Sequence, residues 1–312
     1  MQFPHVLTQA LDALLEGVSR KDLAREAERM SSAYRQGGTS HAIATPLQAK
    51  AYAVARMPAT YAACAAVFAR LTEVMPDFAP ESLLDVGAGT GAASWAAAAA
   101  WPGISSIAML DRNPALRDLA RKLADAGLPA TEILSGDLSS EKPKADLVVA
   151  SYVLAEFPEE SCAAAAMDLW RSADIALALI EPGTPDGFAR IRAARTALID
   201  TGAHVAAPCT HDNACPMAGD DWCHFSQRLP RSRDHMLLKD AHVPFEDERY
   251  AYLVVTRESV ASGARILAPP LEEKPGLTFK LCDEKGLRAQ FVATRDKDEY
   301  RRVRKRGWGD LF

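Results

Sequence analysis

The stretch Leu83-Leu84-Asp85-Val86-Gly87-Ala88-Gly89-Thr90-Gly91 decides the fold of this 312-residue chain. Its first four residues predict a buried strand, and the alanine-rich run that begins at Ala92 predicts a helix. A glycine turn between a strand and a helix lets a ligand approach bare backbone, because glycine has no Cβ. We therefore expect Gly87, Gly89 and Gly91 to border a ligand at the end of a parallel strand.

Two classes of cofactor compete for this loop. Ala92 completes the pattern G-x-G-x-x-A, which is typical of nicotinamide and flavin dinucleotides. Asp85 argues against them, because a carboxylate two residues before the first glycine would repel a pyrophosphate and attract the ammonium group of a methionine. The sequence therefore favours S-adenosylmethionine, and it places Asp85 among the residues that bind it.

Three further polar residues follow predicted strands and complete the predicted cofactor site. Asp111 ends the second apolar run, where an acid can accept hydrogen bonds from ribose hydroxyls. Asp137 follows the third run and is placed to reach an adenine amino group, and Ser151 follows the fourth and borders the methyl group. A helix cap or a solvated loop is the alternative interpretation of each acid.

Apolar runs and alanine-rich helical stretches alternate from Leu83 to about Thr201. Parallel strands that are buried on both faces produce such continuous apolar runs. The pattern predicts an α/β fold with a doubly wound sheet, whose strands are Leu83 to Val86, Ile104 to Leu110, Ile133 to Leu134, Leu147 to Ala150 and Ile175 to Ile180.

We divide the chain into three regions. Residues 1–80 form a helical N-terminal region with helix starts at Ser19, Thr45-Pro46 and Met57-Pro58. Residues 81–260 form the core, with a polar, cysteine-rich insertion at about 205–230 that is too long for an ordinary loop. Residues 261–312 form a small β module, with a hairpin around Asp283-Glu284-Lys285-Gly286, and a basic C-terminal tail.

Composition and charge restrict the possible locations and partners. The N-terminus has no pattern of a secretion signal, and no run of 18 apolar residues occurs, so we expect a cytoplasmic protein without membrane association, monomeric when free. The net charge of −5 argues against indiscriminate nucleic-acid binding. Residues 295–306 nevertheless hold seven Lys or Arg against three Asp or Glu, which is typical of an interaction segment.

The cysteines of the insertion predict a metal site. Cys209, Cys215 and Cys223 are separated by five and seven residues, and Cys282 follows after 58 intervening residues. Four thiolates can hold either zinc or an iron–sulfur cluster. The absence of tight C-x2-C to C-x4-C knuckles disfavours zinc without excluding it, and Cys282 is the weakest assignment on the sequence.

No catalytic residue can be assigned. The Asn/Asp-Pro-Pro-aromatic string of many amino-methyltransferases is replaced here by Ser151-Tyr152-Val153-Leu154. Cys209 follows a proline, as the nucleophile of cytosine methyltransferases does, but it lies after a probable sixth strand, away from the predicted donor pocket. A bound methyl donor does not by itself guarantee methyl transfer.

Several strings resemble the methyltransferase-like proteins associated with the small ribosomal subunit of bacteria and mitochondria. They are the stretch 56–61, the glycine loop, the stretch 151–154 and, above all, the stretch from Cys209 through Cys215-Pro216 to Trp222-Cys223-His224-Phe225. The last string is the most specific, because generic methyltransferases lack it. The ending Gly307-Trp308-Gly309-Asp310 is also similar to that of this family.

The resemblance implies a class I S-adenosylmethionine-dependent methyltransferase fold with a seven-stranded sheet. It implies a [4Fe-4S] cluster on Cys209, Cys215, Cys223 and Cys282, with zinc as the alternative, and action on the small ribosomal subunit or its precursor. Such action would be rRNA methylation, subunit assembly or both. The basic tail would then contact rRNA phosphates through Arg301, Arg302, Arg304, Lys305 and Arg306, with Trp308 stacking on a base.

Two other functions stay open at this point. The protein could be a non-catalytic assembly factor that uses the fold as a binding platform. It could also be a small-molecule methyltransferase with a structural zinc site, which a pocket closed by the N-terminal helices would favour.

Overall fold

The computed structural model describes residues 3–35, 43–260 and 262–312. Residues 36–42 of the predicted helical region therefore lie outside the described residues. The N-terminal helices are α1 (His5–Leu14), α2 (Arg20–Arg35), α3 (Pro46–Ala55) and α4 (Met57–Val74). A capping box at Thr45 and Gln48, with Pro46 in the first turn, explains why α3 begins where it does.

A doubly wound sheet follows, as the alternation of apolar runs predicts. Its parallel strands are β1 (Ser82–Val86), β2 (Ser106–Asp111), β3 (Ala130–Ser135), β4 (Ala145–Ser151) and β5 (Ala173–Pro182). The intervening helices are α5 (Ala92–Ala100), α6 (Pro114–Ala124), α7 (Glu159–Ser172) and α8 (Pro185–Asp200). The fold class predicted from the sequence is confirmed.

The second half of the sheet is antiparallel and contains the cysteine-rich insertion. It consists of β6 (His204–Ala207), β7 (Phe225–Pro230), α9 (Arg233–Leu238) and β8 (Phe245–Thr256). The sheet order is β3-β2-β1-β4-β5-β8-β6, and β7 pairs with the first half of β8 as an eighth strand. The cysteine-rich loop therefore joins β6 to β7 at the end of the sheet that is far from β3.

The C-terminal module is a second, antiparallel sheet formed by β9 (Arg265–Ile266), β10 (Leu271–Glu273), β11 (Gly276–Asp283) and β12 (Gly286–Ala293). The hairpin predicted around residues 283–286 joins β11 to β12. Helix α10 (Lys297–Val303) packs on this sheet through Val303. The last residues are hydrogen bonded to the same region, because Gly309 donates a backbone hydrogen bond to Ile266 of β9 and Phe312 donates one to Ala264, the residue before β9.

The core is formed where the first sheet is covered by helices on both faces. The middle of β5 shows this clearly, since its residues from Ala176 to Glu181 are all buried. Burial on both faces is the reason for the continuous apolar runs in the sequence. Among the described residues, no helix combines the length and the apolar character needed to cross a bilayer.

Candidate functional site: a cofactor pocket and a cysteine cavity

A cavity of about 1290 Å³ opens at the carboxyl ends of the parallel strands. Ligands of open α/β sheets bind at this edge, and the volume exceeds that of an ordinary small-molecule pocket. The sheet supplies its floor, and α2 and the α9 region supply residues opposite it. The predicted residues that line it are Gly87, Gly89, Asp111, Asp137 and Ser151.

The backbone of the glycine loop explains its composition. Gly87, Gly89 and Gly91 have φ values of +68°, +57° and +83°, a region that side-chain-bearing residues rarely adopt. A Cβ at Gly87 would lie 2.4 Å from Val153 Cγ2, and one at Gly91 would lie 2.9 Å from Met109 Cε. Gly91 packs on β2 and is not among the lining residues, so these glycines serve the close packing of the loop as well as ligand access.

Asp111 joins the glycine loop to the end of β2. One carboxylate oxygen accepts a hydrogen bond from the Gly89 backbone N–H at 2.8 Å, and the other accepts from the Asn113 N–H at 2.7 Å. Burial raises the pKa of Asp111, while these two hydrogen bonds act in the opposite direction. The side chain therefore fixes the loop and lines the pocket where a ribose would lie.

Asp85 has a different position from the one that the charge argument predicts. It is fully buried and is not among the lining residues, and its carboxylate accepts hydrogen bonds from both the N–H and the hydroxyl of Ser94. Burial raises its pKa to about 6. In the structure Asp85 thus secures the start of α5, and direct contact with a methionine ammonium stays a prediction.

Asp137 and Ser151 both border the pocket, but in different surroundings. Asp137 is exposed and accepts hydrogen bonds from the N–H and hydroxyl of Ser139, which lower its pKa. It therefore caps its own turn, as the alternative interpretation expects, while it faces the cavity. Ser151 is half-buried at the end of β4.

Helix α3 and the residue that follows it contribute two pocket residues that the sequence analysis did not identify. Tyr52 lies over the glycine loop, with its hydroxyl 3.9 Å from the place where a Gly89 Cβ would be. Arg56 lies one turn later, where α3 ends and α4 begins. Tyr52 belongs to α3, which only the tertiary structure brings to the glycine loop, and Arg56 is the residue that follows this helix and opens one of the family-like strings.

The segment after β4 is held in an unusual conformation. Tyr152 has a φ of +61°, and its hydroxyl donates a 2.6 Å hydrogen bond to Glu248 on β8. The fully buried Glu181 accepts a hydrogen bond from the Leu154 N–H, and burial raises the pKa of Glu181 to about 8. These two hydrogen bonds hold the segment after β4 in place beside the pocket. The Tyr152 hydroxyl and the Leu154 N–H are thereby used within the protein.

The four predicted metal ligands meet at a second cavity. Cys209, Cys215, Cys223 and Cys282 all line a space of about 30 Å³ between the insertion and β11. Burial is the main cause of the raised pKa of Cys209, Cys223 and Cys282, the last to about 12, and neighbouring thiols add to it. As placed, no group of three or more His, Cys, Asp or Glu side chains in residues 3–35, 43–260 and 262–312 could hold a metal ion.

The surroundings of this cavity include a histidine and two positively charged side chains. His211 Nε2 lies 3.7 Å from Cys282 Sγ, whereas His224 stacks on Trp222. Two buried arginines, Arg195 and Arg265, are also lining residues. The donor set and its positive surroundings therefore suit an anionic metal–thiolate group, although the present side-chain positions do not form one.

The predicted RNA-binding residues are all exposed on and after α10. Arg301 and Arg302 pair with Asp298 and Glu299 on the same helix. The structure shows no ion pair for the other three basic residues within the described part of the chain; they are Arg304, Lys305 and Arg306. Trp308 is half-buried, with its ring centroid 5.1 Å from that of His224, so it packs on the cysteine-rich loop.

Residues 46–312 of this chain are similar to a known protein family. They match the family model described as mitochondrial small ribosomal subunit Rsm22. The human mitochondrial ribosome assembly protein METTL17 is 28% identical over 285 residues, which are 84% of this chain and 61% of the human protein. The Rsm22-cox11 tandem protein 2 of Schizosaccharomyces pombe is 28% identical over 94% of this chain and 46% of its own length.

This chain therefore spans about half to three fifths of the curated relatives that it matches. Solved structures with a similar fold include magnesium protoporphyrin IX methyltransferase of Synechocystis. Its complex with SAM has 17% identity, covers 73% of this chain and 90% of the other, and has a TM-score of 0.43. Its complex with SAH has 14% sequence identity, covers 74% of this chain and 94% of the other, and has a TM-score of 0.45.

Proposed function

The chain belongs to the Rsm22 family of the small ribosomal subunit, and from this premise we propose that it binds S-adenosylmethionine and an iron–sulfur cluster and acts in assembly of that subunit. The observation that carries the cofactor part is the pocket at the carboxyl ends of the strands, where Asp111 and the glycine loop are hydrogen bonded. We further propose that it methylates rRNA.

Different residues of the pocket would bind different parts of S-adenosylmethionine. The glycine loop would leave room for the methionine part, Asp111 would accept hydrogen bonds from the ribose, and the exposed Asp137 would accept one from the adenine amino group. The Tyr52 side chain lies next to Gly89 of the glycine loop and borders the pocket there. Methyl transfer in such a site depends mainly on holding donor and acceptor in line, which agrees with the lack of an assignable general base.

The cysteine cavity is the proposed site of the cluster. Cys209, Cys215, Cys223 and Cys282 would hold a [4Fe-4S] group, which when bound supplies a rigid cross-link and one-electron chemistry. Its support is the convergence of four thiols beside buried arginines. Zinc is the alternative occupant, and metal and sulfide analysis distinguishes the two.

The distribution of charge favours a second candidate, a non-catalytic assembly factor. Most basic residues that line the pocket form ion pairs: Arg25 with Asp22, Arg112 with Glu156, and both Arg231 and Lys239 with Glu246. Arg304, Lys305 and Arg306 are three adjacent exposed cations on the C-terminal module, and none of them forms an ion pair with a described residue. The pocket has the exposed Lys21 among its lining residues. Polyanionic RNA would therefore be attracted to that module more strongly than to the pocket mouth.

One set of measurements separates these functions. Full-length protein is purified without oxygen, its iron, sulfide and zinc are quantified, and SAM binding is measured by calorimetry. Small-subunit particles are then incubated with methyl-labelled SAM, and both association and label transfer are followed. Transfer that is lost in Asp111→Asn supports the enzyme, whereas association without transfer supports the assembly platform. Absence of association contradicts the proposal.

The role of the basic segment is tested by salt dependence. The triple variant Arg304→Gln, Lys305→Gln, Arg306→Gln should bind small-subunit particles more weakly, with a shallower dependence of affinity on salt. Arg121→Gln, an exposed arginine on α6, is the matched control for loss of surface charge. Equal salt dependence for the two variants would rule out phosphate contacts by this segment.

A further inference from the structure

Two buried arginines border the cysteine cavity. Arg195 of α8 is 4% exposed, and Arg265 of β9 is fully buried. Arginine is almost never buried to this extent unless an anion compensates it. Each side chain therefore requires an explanation for its charge.

The two arginines differ in whether a carboxylate balances their positive charge. Arg265 forms an ion pair with Glu73 at 3.1 Å and donates hydrogen bonds to the Pro208 and Gly309 carbonyl oxygens. Arg195 Nη2 donates to the carbonyl oxygens of His211 and Asn213, each at 2.8 Å. No carboxylate pairs with Arg195 in the part of the chain that the structure describes, so its full charge is uncompensated there.

Each guanidinium also has a nitrogen without a partner. Arg195 Nε and Arg265 Nη2 are buried and donate no hydrogen bond within the described residues. A purely structural role of Arg195 in holding the loop at His211 and Asn213 accounts for its Nη2 atom only. A negatively charged acceptor in the cavity that Arg195 lines would satisfy both the free Nε and the missing counter-charge.

A metal–thiolate group meets both requirements. Four thiolates around a divalent metal core leave about two negative charges, and their sulfur atoms accept hydrogen bonds from N–H donors. We propose that Arg195 is the counter-cation and hydrogen-bond donor of the group held by the four cysteines, with Arg265 as a second donor. The inference rests on the proposed function, because it requires a metal centre at these cysteines.

The test compares three variants of the full-length protein purified without oxygen. Arg195→Met removes the charge, and Arg195→Lys keeps the charge but not the planar set of donors. Arg192→Gln removes an exposed charge one turn earlier on α8, at the rim of the same cavity, and is the matched control. Metal and sulfide content, the rate of metal release to a chelator and, for an iron–sulfur centre, the reduction potential are measured.

Arg195→Met should release metal about tenfold faster than the wild type, and Arg192→Gln should not differ from it. For an iron–sulfur centre, loss of the cation disfavours the more negative, reduced form, so the potential should fall by about 59 mV for a tenfold change in the ratio of the two forms. Arg195→Lys should retain most of the potential. A loop that is merely loosened would release metal without this charge-dependent change.

The outcomes separate this inference from the proposed function. Wild-type protein with no metal at the cysteines overturns both. Wild-type protein with iron and sulfide, together with unchanged metal release and potential in Arg195→Met, overturns the role of Arg195 alone. If the wild type holds zinc, the iron–sulfur part of the proposed function fails, and the role of Arg195 is decided by the zinc release rates.

Discussion

The cofactor pocket and the cysteine cavity are built in opposite ways. The pocket encloses about 1290 Å³ and is bordered by segments that follow successive parallel strands, much of it backbone. The cavity encloses about 30 Å³ and is bordered by side chains from α8, the insertion, β9 and β11. The two share no lining residue.

Because of this difference, the two sites should respond differently to amino-acid substitution. The shape of a pocket at the ends of sheet strands is set mainly by the backbone of the fold. Each single side-chain substitution should therefore reduce cofactor affinity only in part. The cysteine cavity also has apolar lining residues, such as Phe188, Met217 and Leu253, but these cannot replace a missing metal ligand. We expect it to lose its metal completely when one ligand is removed.

The largest effect is expected for Cys223→Ser. This change should abolish metal binding and loosen the cysteine-rich loop and the C-terminal segment that packs on it through Trp308 and His224. SAM affinity should change by less than about twofold, because the cofactor pocket is separate. Metal analysis, limited proteolysis and calorimetry check this. Cys162→Ser, a buried thiol away from the cavity, is the control.

Gly87→Ala should reduce SAM affinity about tenfold or more. The φ of +68° costs an alanine about 1–2 kcal/mol, and its Cβ would displace Val153 from the pocket wall. Gly103→Ala is the control, because nothing lies within 4 Å of a Cβ there. Calorimetric titrations that give equal affinities for both variants would show that the loop does not bind the donor. Metal content should be unchanged in both.

Glu181→Gln should alter the pH dependence of stability. Burial holds the folded-state pKa of Glu181 at about 8, above its unfolded value, so the unfolded state ionises first as pH rises. The wild type should lose about 1 kcal/mol of unfolding free energy per pH unit between pH 5 and 8 through this group, and the variant should not. Urea unfolding measures this, with the exposed Glu132→Gln as control. Parallel pH profiles of all three proteins would contradict the assignment.

The smallest effect is expected for Tyr52→Phe. Loss of the hydroxyl beside the glycine loop should weaken SAM binding roughly threefold, in line with about 0.5–1.5 kcal/mol for one hydrogen bond. Tyr61→Phe, on α4 and outside the pocket lining, should leave binding unchanged. If the two variants bind SAM equally well, the N-terminal helices do not take part in donor binding.

The sequence was sufficient to predict which residues lie at the carboxyl ends of the parallel strands, and five of them line the pocket. Their contacts with a cofactor stay predictions. The strand, the glycine turn and the acids after successive strands follow from local pattern and from the rule that parallel strands end at one edge. Asp85 shows what the charge argument leaves out, because the sequence did not indicate that its buried carboxylate accepts hydrogen bonds from Ser94. Its contact with a methionine ammonium stays a prediction. The charge of a residue does not show which way its side chain points.

Arg195 carried a signal that could have been found. It lies between Ile191 and Leu198 at the spacing of the buried face of α8, a position where a charged residue is unexpected. Arg265 and Tyr52 carried no such signal, because the burial of Arg265 and the position of Tyr52 beside the glycine loop depend on segments distant in the chain. Only in the folded molecule does α3 lie beside the glycine loop and does β9 pair with the last residues.

The sequence by itself determined the doubly wound fold, the glycine loop and the set of candidate thiols, because periodicity, turn chemistry and residue type are local properties of the chain. The tertiary structure alone decided that Cys282 joins the other three cysteines, that Arg195 and Arg265 lie beside them, and that α3 covers the pocket. These contacts join residues far apart in sequence, and their formation depends on the packing of whole elements, which no local pattern encodes.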